Sequence, residues 1–324
     1  MKKRIFIKSF GIAIGFGLSL AGQCVMAQAF PARPIRMIVP FPAGAATDLA
    51  ARVIGQHLSA SLGQPVVIDN KPGASGSIAA MEVIRSAPDG YTLLFSSNSA
   101  ISSNVALLKN IPYDPTKDFS AIAGIGETAL VLLVKSSFPA KNLRELVAYV
   151  KQRPGKVTAG YGSSTSQTGI AMLNKLAGID TLSVPYKGIP LAVNDVLGGV
   201  TDYTFVDVGN ALAQVRGGTM RALGVTSSSR SPLAPDVPAI AELLPGFDIT
   251  AWFAIVGPAG MPKEVVNKLN AAATQALNAP DMNAKLAQIG LSPMPMPPEQ
   301  LKTFIGTEIT KWTRLAKDAN IEPQ

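Results

Sequence analysis

The chain has 324 residues, a formal net charge of +8, 47% hydrophobic and 15% charged residues, and a single cysteine. Four of its cations, Lys2, Lys3, Arg4 and Lys8, crowd the N-terminus, so half of the excess charge sits at one end and the rest is spread thinly. No Lys/Arg cluster interleaved with aromatic residues follows, which removes the main argument for nucleic-acid binding, and the composition suits a well-buried α/β protein long enough for two domains.

Those N-terminal cations precede an apolar, glycine-rich run from Phe10 to Ala21 that holds no acid. This is the anatomy of a secretory signal peptide, and the run is shorter than the roughly 20 apolar residues of a membrane span. Val25-Met26-Ala27 predicts a cleaved segment over residues 1–27, with Ala27-Gln28-Ala29 as a second small-x-small option. Cys24 follows Gln23, whereas a lipidated cysteine follows a small residue. It therefore reads as a bystander that leaves with the signal, so the mature chain has no disulfide, no thiol nucleophile and no thiolate metal ligand. A soluble protein of the periplasm is expected.

From Pro34 onward short β-branched or apolar runs alternate with longer helical stretches, which predicts mostly parallel sheets covered by helices. Ile35 to Val39 reads as a strand. The loop Pro40-Phe41-Pro42-Ala43-Gly44-Ala45-Ala46 leads into a helix capped by Thr47 or Asp48, with Leu49, Val53, Ile54, Leu58 and Leu62 on one face and Gly63 as its stop. Val66 to Ile68 is a second strand, Ile78 to Arg85 a helix, and Tyr91 to Phe95 a third strand entered through Pro88-Asp89-Gly90, completing a βαβαβ unit. Leu130 to Val134 is a further strand, and a helix from Asn142 to about Gln152 stops at Arg153-Pro154-Gly155.

A second set of alternations has the same layout. Val157 to Tyr161 reads as a strand ending in Gly162-Ser163-Ser164-Thr165, followed by a helix to Ala177. Strands follow at Leu182 to Val184, Tyr203 to Val206, Ala222 to Thr226 and Trp252 to Val256, and the chain closes with helices from Lys263 to Leu277 and Glu299 to Ala319. Two open parallel sheets place the ligand site in the crevice beyond the carboxyl ends of their strands, where both glycine-containing loops lie.

The first loop offers backbone N–H groups at Ala43, Gly44, Ala45, Ala46, Thr47 and Asp48 at a helix N-terminus, which favours an anion without any cation. No Arg or Lys lies between Pro40 and Asp48, and Arg52 is a full turn inside the helix. The loop lacks the Lys-Ser/Thr ending of a Walker loop and the three-glycine spacing of a dinucleotide loop. Taken alone it also fits an ordinary capped turn. Gly162, Ser163, Ser164 and Thr165 can act the same way from the other set, and two facing helix N-termini suit the two ends of a dicarboxylate. His57, the one histidine, reads as a partly solvated helix residue, and no His/Asp/Glu grouping has metal-ligand spacing, so no catalytic residue, metal or cofactor is expected. Asp207 follows the strand Tyr203 to Val206 and reads equally as a cap before Gly209-Asn210 or as a ligand contact.

Pro40-Phe41-Pro42-Ala43-Gly44 with Thr47-Asp48, Leu62-Gly63-Gln64-Pro65-Val66-Val67, Asn70-Lys71-Pro72-Gly73-Ala74, Ala87-Pro88-Asp89-Gly90-Tyr91-Thr92-Leu93, Tyr113-Asp114-Pro115, Val184-Pro185-Tyr186-Lys187-Gly188 and Gly257-Pro258-Ala259-Gly260 occur in register from about Phe30 to the C-terminus. In this set and order the chain resembles the Bug-type receptors of tripartite tricarboxylate transporters. The resemblance implies an α/β fold of two lobes joined by crossing strands, a periplasmic-binding-protein fold of the Venus flytrap, type II-like kind, which closes on an organic acid and works with an integral-membrane permease. It assigns carboxylate contacts to Ala43 through Asp48 and to Gly162 through Thr165. It lends weight to Ser97, Asn98 and Asp207, and brings in Tyr186 and Lys187 through their motif. Ala45-Ala46 stands where glycines are usual in that family, Gln167 or Thr168 where a histidine is frequent, and Ile189-Pro190 where small residues are common. Trp252-Phe253 fits the second crossing segment.

The expected organisation is therefore a signal peptide over 1–27, lobe one over 30–128 and 252–324, and lobe two over 129–251. The expected function is reversible capture of a small carboxylate by a monomer, without turnover. The rival readings are a ligand-presenting subunit of a sensing system and a hydrolase built on Ser163 or Ser164.

Overall fold

The computed structural model describes residues 30–323. The expected signal peptide, with Cys24 and its flanking residues, lies outside the described residues. In chain order the elements are β1 (Ile35–Val39), α1 (Ala46–Leu62), β2 (Val66–Asn70), α2 (Ser77–Ile84), β3 (Thr92–Ser97), a π-helical turn (Ser99–Ser103), α3 (Asn104–Leu107), β4 (Phe119–Lys135), α4 (Leu143–Lys151), β5 (Thr158–Tyr161), α5 (Ser164–Ala177) and β6 (Leu182–Pro185). There follow α6 (Ile189–Gly198), β7 (Tyr203–Asp207), α7 (Val208–Arg216), β8 (Met220–Val225), β9 (Thr250–Pro258), α8 (Lys263–Leu277), α9 (Met282–Gln288), β10 (Ser292–Met296) and α10 (Pro298–Asp318).

The strands run in the order β2-β1-β3-β9-β4-β7-β5-β6, with β8 and β10 also paired to β4. The parallel trios predicted from the two alternating sets are present: β2, β1 and β3 in one half, β6, β5 and β7 in the other. Between them the sheet is antiparallel, which the alternation did not reveal. β4 pairs with β9 and β10 along its first part, up to Ala129 opposite Thr250. From Leu130 onward it pairs with β7 and β8. This one strand belongs to both halves. At the change-over Thr226 accepts from the Leu130 N–H through Oγ1 at 2.8 Å and donates its own N–H to the Leu130 carbonyl at 2.8 Å. Its carbonyl also takes the Ile249 N–H at 2.9 Å, tying the entry of β9 to the same point.

Three cores follow from this arrangement. One fills the second half around Leu132, Phe205 and Phe247. The other two lie on opposite faces of the first half: α1, α8 and α9 cover Val39, Phe95 and Ile255, whereas α2, the π-helical turn and the start of α10 cover Ile38, Leu94 and Trp252. In α1, Ile54 and Leu58 of the expected face are buried and Val53 and Leu62 pack partly buried against the same core, while the small Ala46, Ala50 and Ala51 complete the buried stripe and let the helix approach the sheet closely. In α10, Leu301, Ile305, Glu308, Trp312 and Leu315 recur at helical spacing as one buried stripe. Leu301 and Ile305 enter the first half's core and Trp312 and Leu315 the second, so α10 packs on both.

Glu308 sits at the middle of that stripe, 4% exposed. Its Oε2 accepts from the indole of Trp252 in β9 at 2.7 Å and from that of Trp312 at 3.0 Å, while Lys311 lies 3.5 Å from Oε1. Replacing Glu308 by Leu keeps the volume but leaves two buried indole donors unpaired. Urea unfolding is expected to show a loss of about 3 kcal/mol with an unchanged denaturant slope.

Candidate functional site

A narrow cleft opens where the two halves meet. Its walls come from the β1–α1 loop (Phe41, Ala45, Ala46, Thr47), the end of β3 (Ser97), the start of α5 (Gly162, Ser163, Thr165), the start of α6 (Ile189) and the end of β7 (Asp207). Leu130, Ala251 and Phe253 of the crossing strands form its apolar floor. The cavity therefore lies at the carboxyl ends of β1, β3, β5 and β7, as the alternating pattern predicts.

The two halves touch around it. The Asn98 amide Nδ2 donates to Thr165 Oγ1 at 3.1 Å, Ser164 Oγ donates to Asn104 Oδ1 at 2.8 Å, and the Ser164 N–H lies 3.4 Å from Ser99 Oγ. Asn210 Nδ2 reaches the Gly44 carbonyl at 3.3 Å. Backbone meets backbone where α7 begins: a Cβ on Gly290, itself at φ +79°, would stand 2.1 Å from the Gly209 nitrogen, so no larger residue fits at this seam.

The first loop differs from the expected capped turn. The residue before α1 is Ala45, which offers no side-chain cap, and the side chains of Thr47 and Asp48 lie inside the first turn. Asp48 is turned back as an organiser. It accepts from the Gly44 N–H at 3.0 Å and from Asn70 Nδ2 at 2.9 Å, and pairs with Arg52 at 2.9 Å, while Asn70 also donates to the Phe41 carbonyl at 2.9 Å. Burial pushes the Asp48 carboxyl up, but Arg52, the Gly44 N–H and Asn70 together hold it below its ordinary value. The Ala45 N–H is used by the Pro42 carbonyl at 3.2 Å. The N–H groups of Ala46, Thr47 and Asp48 find no acceptor among the described residues, as expected of the first turn of an uncapped helix.

The second loop is capped. Ser163 and Ser166 form a reciprocal box, and Ser166 Oγ also accepts from the N–H groups of Gly162 at 3.1 Å and Ser163 at 3.0 Å. Among the predicted site residues, Ala45, Ala46, Thr47, Ser97, Gly162, Ser163, Thr165 and Asp207 line the cavity. Ala43 and Gly44 are exposed beside it, Asp48 lies behind the loop, and Asn98 and Ser164 are spent on contacts between the halves. Tyr186 and Lys187 are outside the walls: the Tyr186 hydroxyl donates to Asp195 at 2.6 Å and Lys187 is exposed. Sequence reasoning missed Phe41, Leu130, Ile189, Ala251 and Phe253. Of these only Phe41, an aromatic held between two prolines in a loop, carried a local signal.

Asp207 is the one ionisable side chain in the walls, and no Lys or Arg accompanies it. It stands at the N-cap position of α7 but makes no capping hydrogen bond, so the capping half of the alternative read from the sequence is not met. Burial pushes its carboxyl up from 3.8 to about 6, opposed only by its own backbone N–H. His57 lies elsewhere on α1, 3.5 Å from Lys285 and 4.0 Å from Asp281.

A cleft between two sheet halves, walled by helix N-termini and crossed by two antiparallel strands, defines a solute-binding protein of the periplasmic-binding-protein fold. The chain belongs to the family described as tripartite tricarboxylate transporter family receptor, whose model matches residues 50–321. It is 38% identical to Protein BugT of Bordetella pertussis (strain Tohama I) over 94% of this chain and 95% of that one. Among solved structures it is similar to Rpa4515 of R. palustris with adipate, at TM-score 0.88 and 32% identity, covering 91% of this chain and 100% of that one. It is also similar to MatC (Rpa3494) from Rhodopseudomonas palustris with bound malate, at TM-score 0.82 and 33% identity over 88% and 99% of the two chains.

The position of Asp207 has a thermodynamic consequence. A carboxyl whose folded pKa lies above its unfolded value favours the fold while protonated. Its contribution is fully present below about pH 4 and is lost as pH rises through about 6. Asp207→Asn removes that loss. In the ligand-free protein, the variant's stability relative to wild type should rise by about 2–3 kcal/mol between pH 4 and pH 7.5, read from urea midpoints at the two pH values.

Proposed function

We propose that this chain is a periplasmic receptor that captures a small organic acid, a mono- or dicarboxylate, between two lobes and delivers it to the integral-membrane permease of a tripartite tricarboxylate-type transporter. The observation that carries the reading is the pair of unmatched backbone donors at Ala46 and Thr47 facing a cavity with no cation. Such donors, at the positive end of a 17-residue helix, bind a carboxylate by charge-assisted hydrogen bonds alone. Family membership supports it, as do the adipate and malate of the two similar structures.

The lobes are 30–128 with 252–324, and 129–251, hinged where β4 changes partners at Ala129–Leu130 and where β9 begins at Thr250. The chain works as a monomer and is exported by cleavage of its N-terminal segment. Among the described residues, no helix is long and apolar enough to cross a membrane. Capture proceeds without turnover. The oxygens of Ser163 and Ser164 are committed to Ser166 and Asn104, and His57 faces Lys285 and Asp281 rather than the cavity.

A thermal-shift screen over an organic-acid panel tests the class of ligand. An acid at 100 times its Kd adds about 2.7 kcal/mol of stability, and a panel in which no acid shifts the midpoint would reject the reading. Two variants then test the mode of capture. Ala46→Pro deletes one donor at a position where the helix tolerates proline, and the preceding Ala45 already has the extended conformation that proline requires (φ −66°, ψ 152°). Titration calorimetry should show a loss of about 1.5–3 kcal/mol in binding for Ala46→Pro. Arg52→Gln, outside the cavity walls, should cost under about 1 kcal/mol. The reverse order would replace the backbone site with an ion pair.

A further inference from the structure

Asp207 sets a condition on the ligand that the backbone donors do not. It is 6% exposed, closes β7 opposite Leu130, and has only its own backbone N–H as a protein donor among the described residues. Around it the cavity presents Leu130, Ala251, Phe253 and Ile189, together with neutral hydroxyls. No Lys, Arg or His lies in the walls to balance a second negative charge. An anion held by Ala46 and Thr47 shares this small space with the carboxylate of Asp207. Two like charges at close quarters in a poorly solvated site oppose each other unless a proton lies between them.

Resting on the carboxylate-capture reading above, we infer that Asp207 is the specificity-determining acceptor of the cavity, and that the ligand is an acid carrying a hydrogen-bond donor, a hydroxyl or an amine, on the side that faces β7. The donor converts the repulsion into a charge-assisted hydrogen bond, and an analogue without it leaves a buried carboxylate unpaired. Sites built to hydrogen-bond a ligand group reject analogues that lack it far more strongly than apolar pockets reject a missing methylene. The raised pKa of Asp207 fits a carboxyl for which no donor has been supplied by the protein.

The test is a set of matched pairs measured by titration calorimetry at pH 8, where Asp207 is ionised: malate and aspartate against succinate, 2-hydroxyglutarate and glutamate against glutarate, and 4-hydroxybenzoate against benzoate. In at least one chain length the donor-bearing member should bind at least tenfold more tightly than its plain partner. Asp207→Asn keeps the shape but supplies an NH2 donor and removes the charge, so it should bring that ratio below about threefold. A neutral hydroxyl and a cationic amine are separated by how the variant treats them, since loss of the charge weakens the amine pair more. Plain acids that bind as tightly as their donor-bearing partners overturn the inference, as does a wild-type preference that survives in a cooperatively folded Asp207→Asn. The wild-type pairs decide the matter should the variant not fold. Binding by no acid of any kind is a different failure: it removes the carboxylate reading itself, and this inference with it.

Discussion

The structure depends on the change of partners along β4. Up to Ala129 the strand is hydrogen-bonded into one half of the sheet, and from Leu130 onward into the other, with β9 running antiparallel beside the crossing. A strand alternates its side chains with fixed period, so this pairing decides which residues form the floor of the cleft. Leu130, Ala251 and Phe253 come from the two crossing segments and are buried to 4% exposure or less. The same two strands that join the halves therefore supply the apolar floor of the cleft, and the Thr226 bonds at the change-over hold the two in register.

Above that floor the site is made of backbone more than of side chains. Asp48, Arg52 and Asn70 lie behind the first loop and consume the Gly44 N–H and the Phe41 carbonyl. They fix the loop beside the remaining unpartnered donors of Ala46 and Thr47, both of which line the cleft. A cation in the cavity would need a partner whenever no ligand was bound, whereas a peptide N–H can be satisfied by water at small cost. The uncapped start of α1 and the capped start of α5 are thus unequal: one keeps backbone N–H groups without a partner among the described residues, the other is largely closed on itself. The two helix N-termini read from the sequence as equivalent differ in capping, one with free backbone donors and one with its donors taken up.

Much of the fold was legible. The run Ile35 to Val39 and the helix Lys263 to Leu277 have the bounds their patterns predict, and Gly63 ends α1 in the left-handed conformation that glycine favours. What was hidden has physical reasons. The first part of β4 carries Gly124, Gly126 and Glu127, which do not read as a strand, because β10 packs closely against the glycines. β10 itself, Ser-Pro-Met-Pro-Met, contains two prolines and is tolerated as an edge that pairs only with β4. α6 and α7 begin at Ile189-Pro190 and Val208-Gly209, where turn chemistry masks the helix that follows. At the site, the loop start and Asp207 could be found because strand ends and helix starts mark themselves. Leu130, Ile189, Ala251 and Phe253 could not, since one strand or helix residue facing a cavity has the same sequence pattern as its neighbour facing the core.

The Trp252–Glu308–Trp312 contact has an optical consequence. The chain has two tryptophans, and both donate to the same carboxylate oxygen. One indole belongs to the core of the first half and the other to the core of the second. The protein therefore carries its two indole fluorophores at a single point, the seam along which α10 joins the halves, with Phe253 of the cleft floor next in the chain to Trp252. Its tryptophan emission, excited beyond the absorption of the six tyrosines, is a report on that seam alone, and any sliding of α10 against β9 registers in both indoles at once.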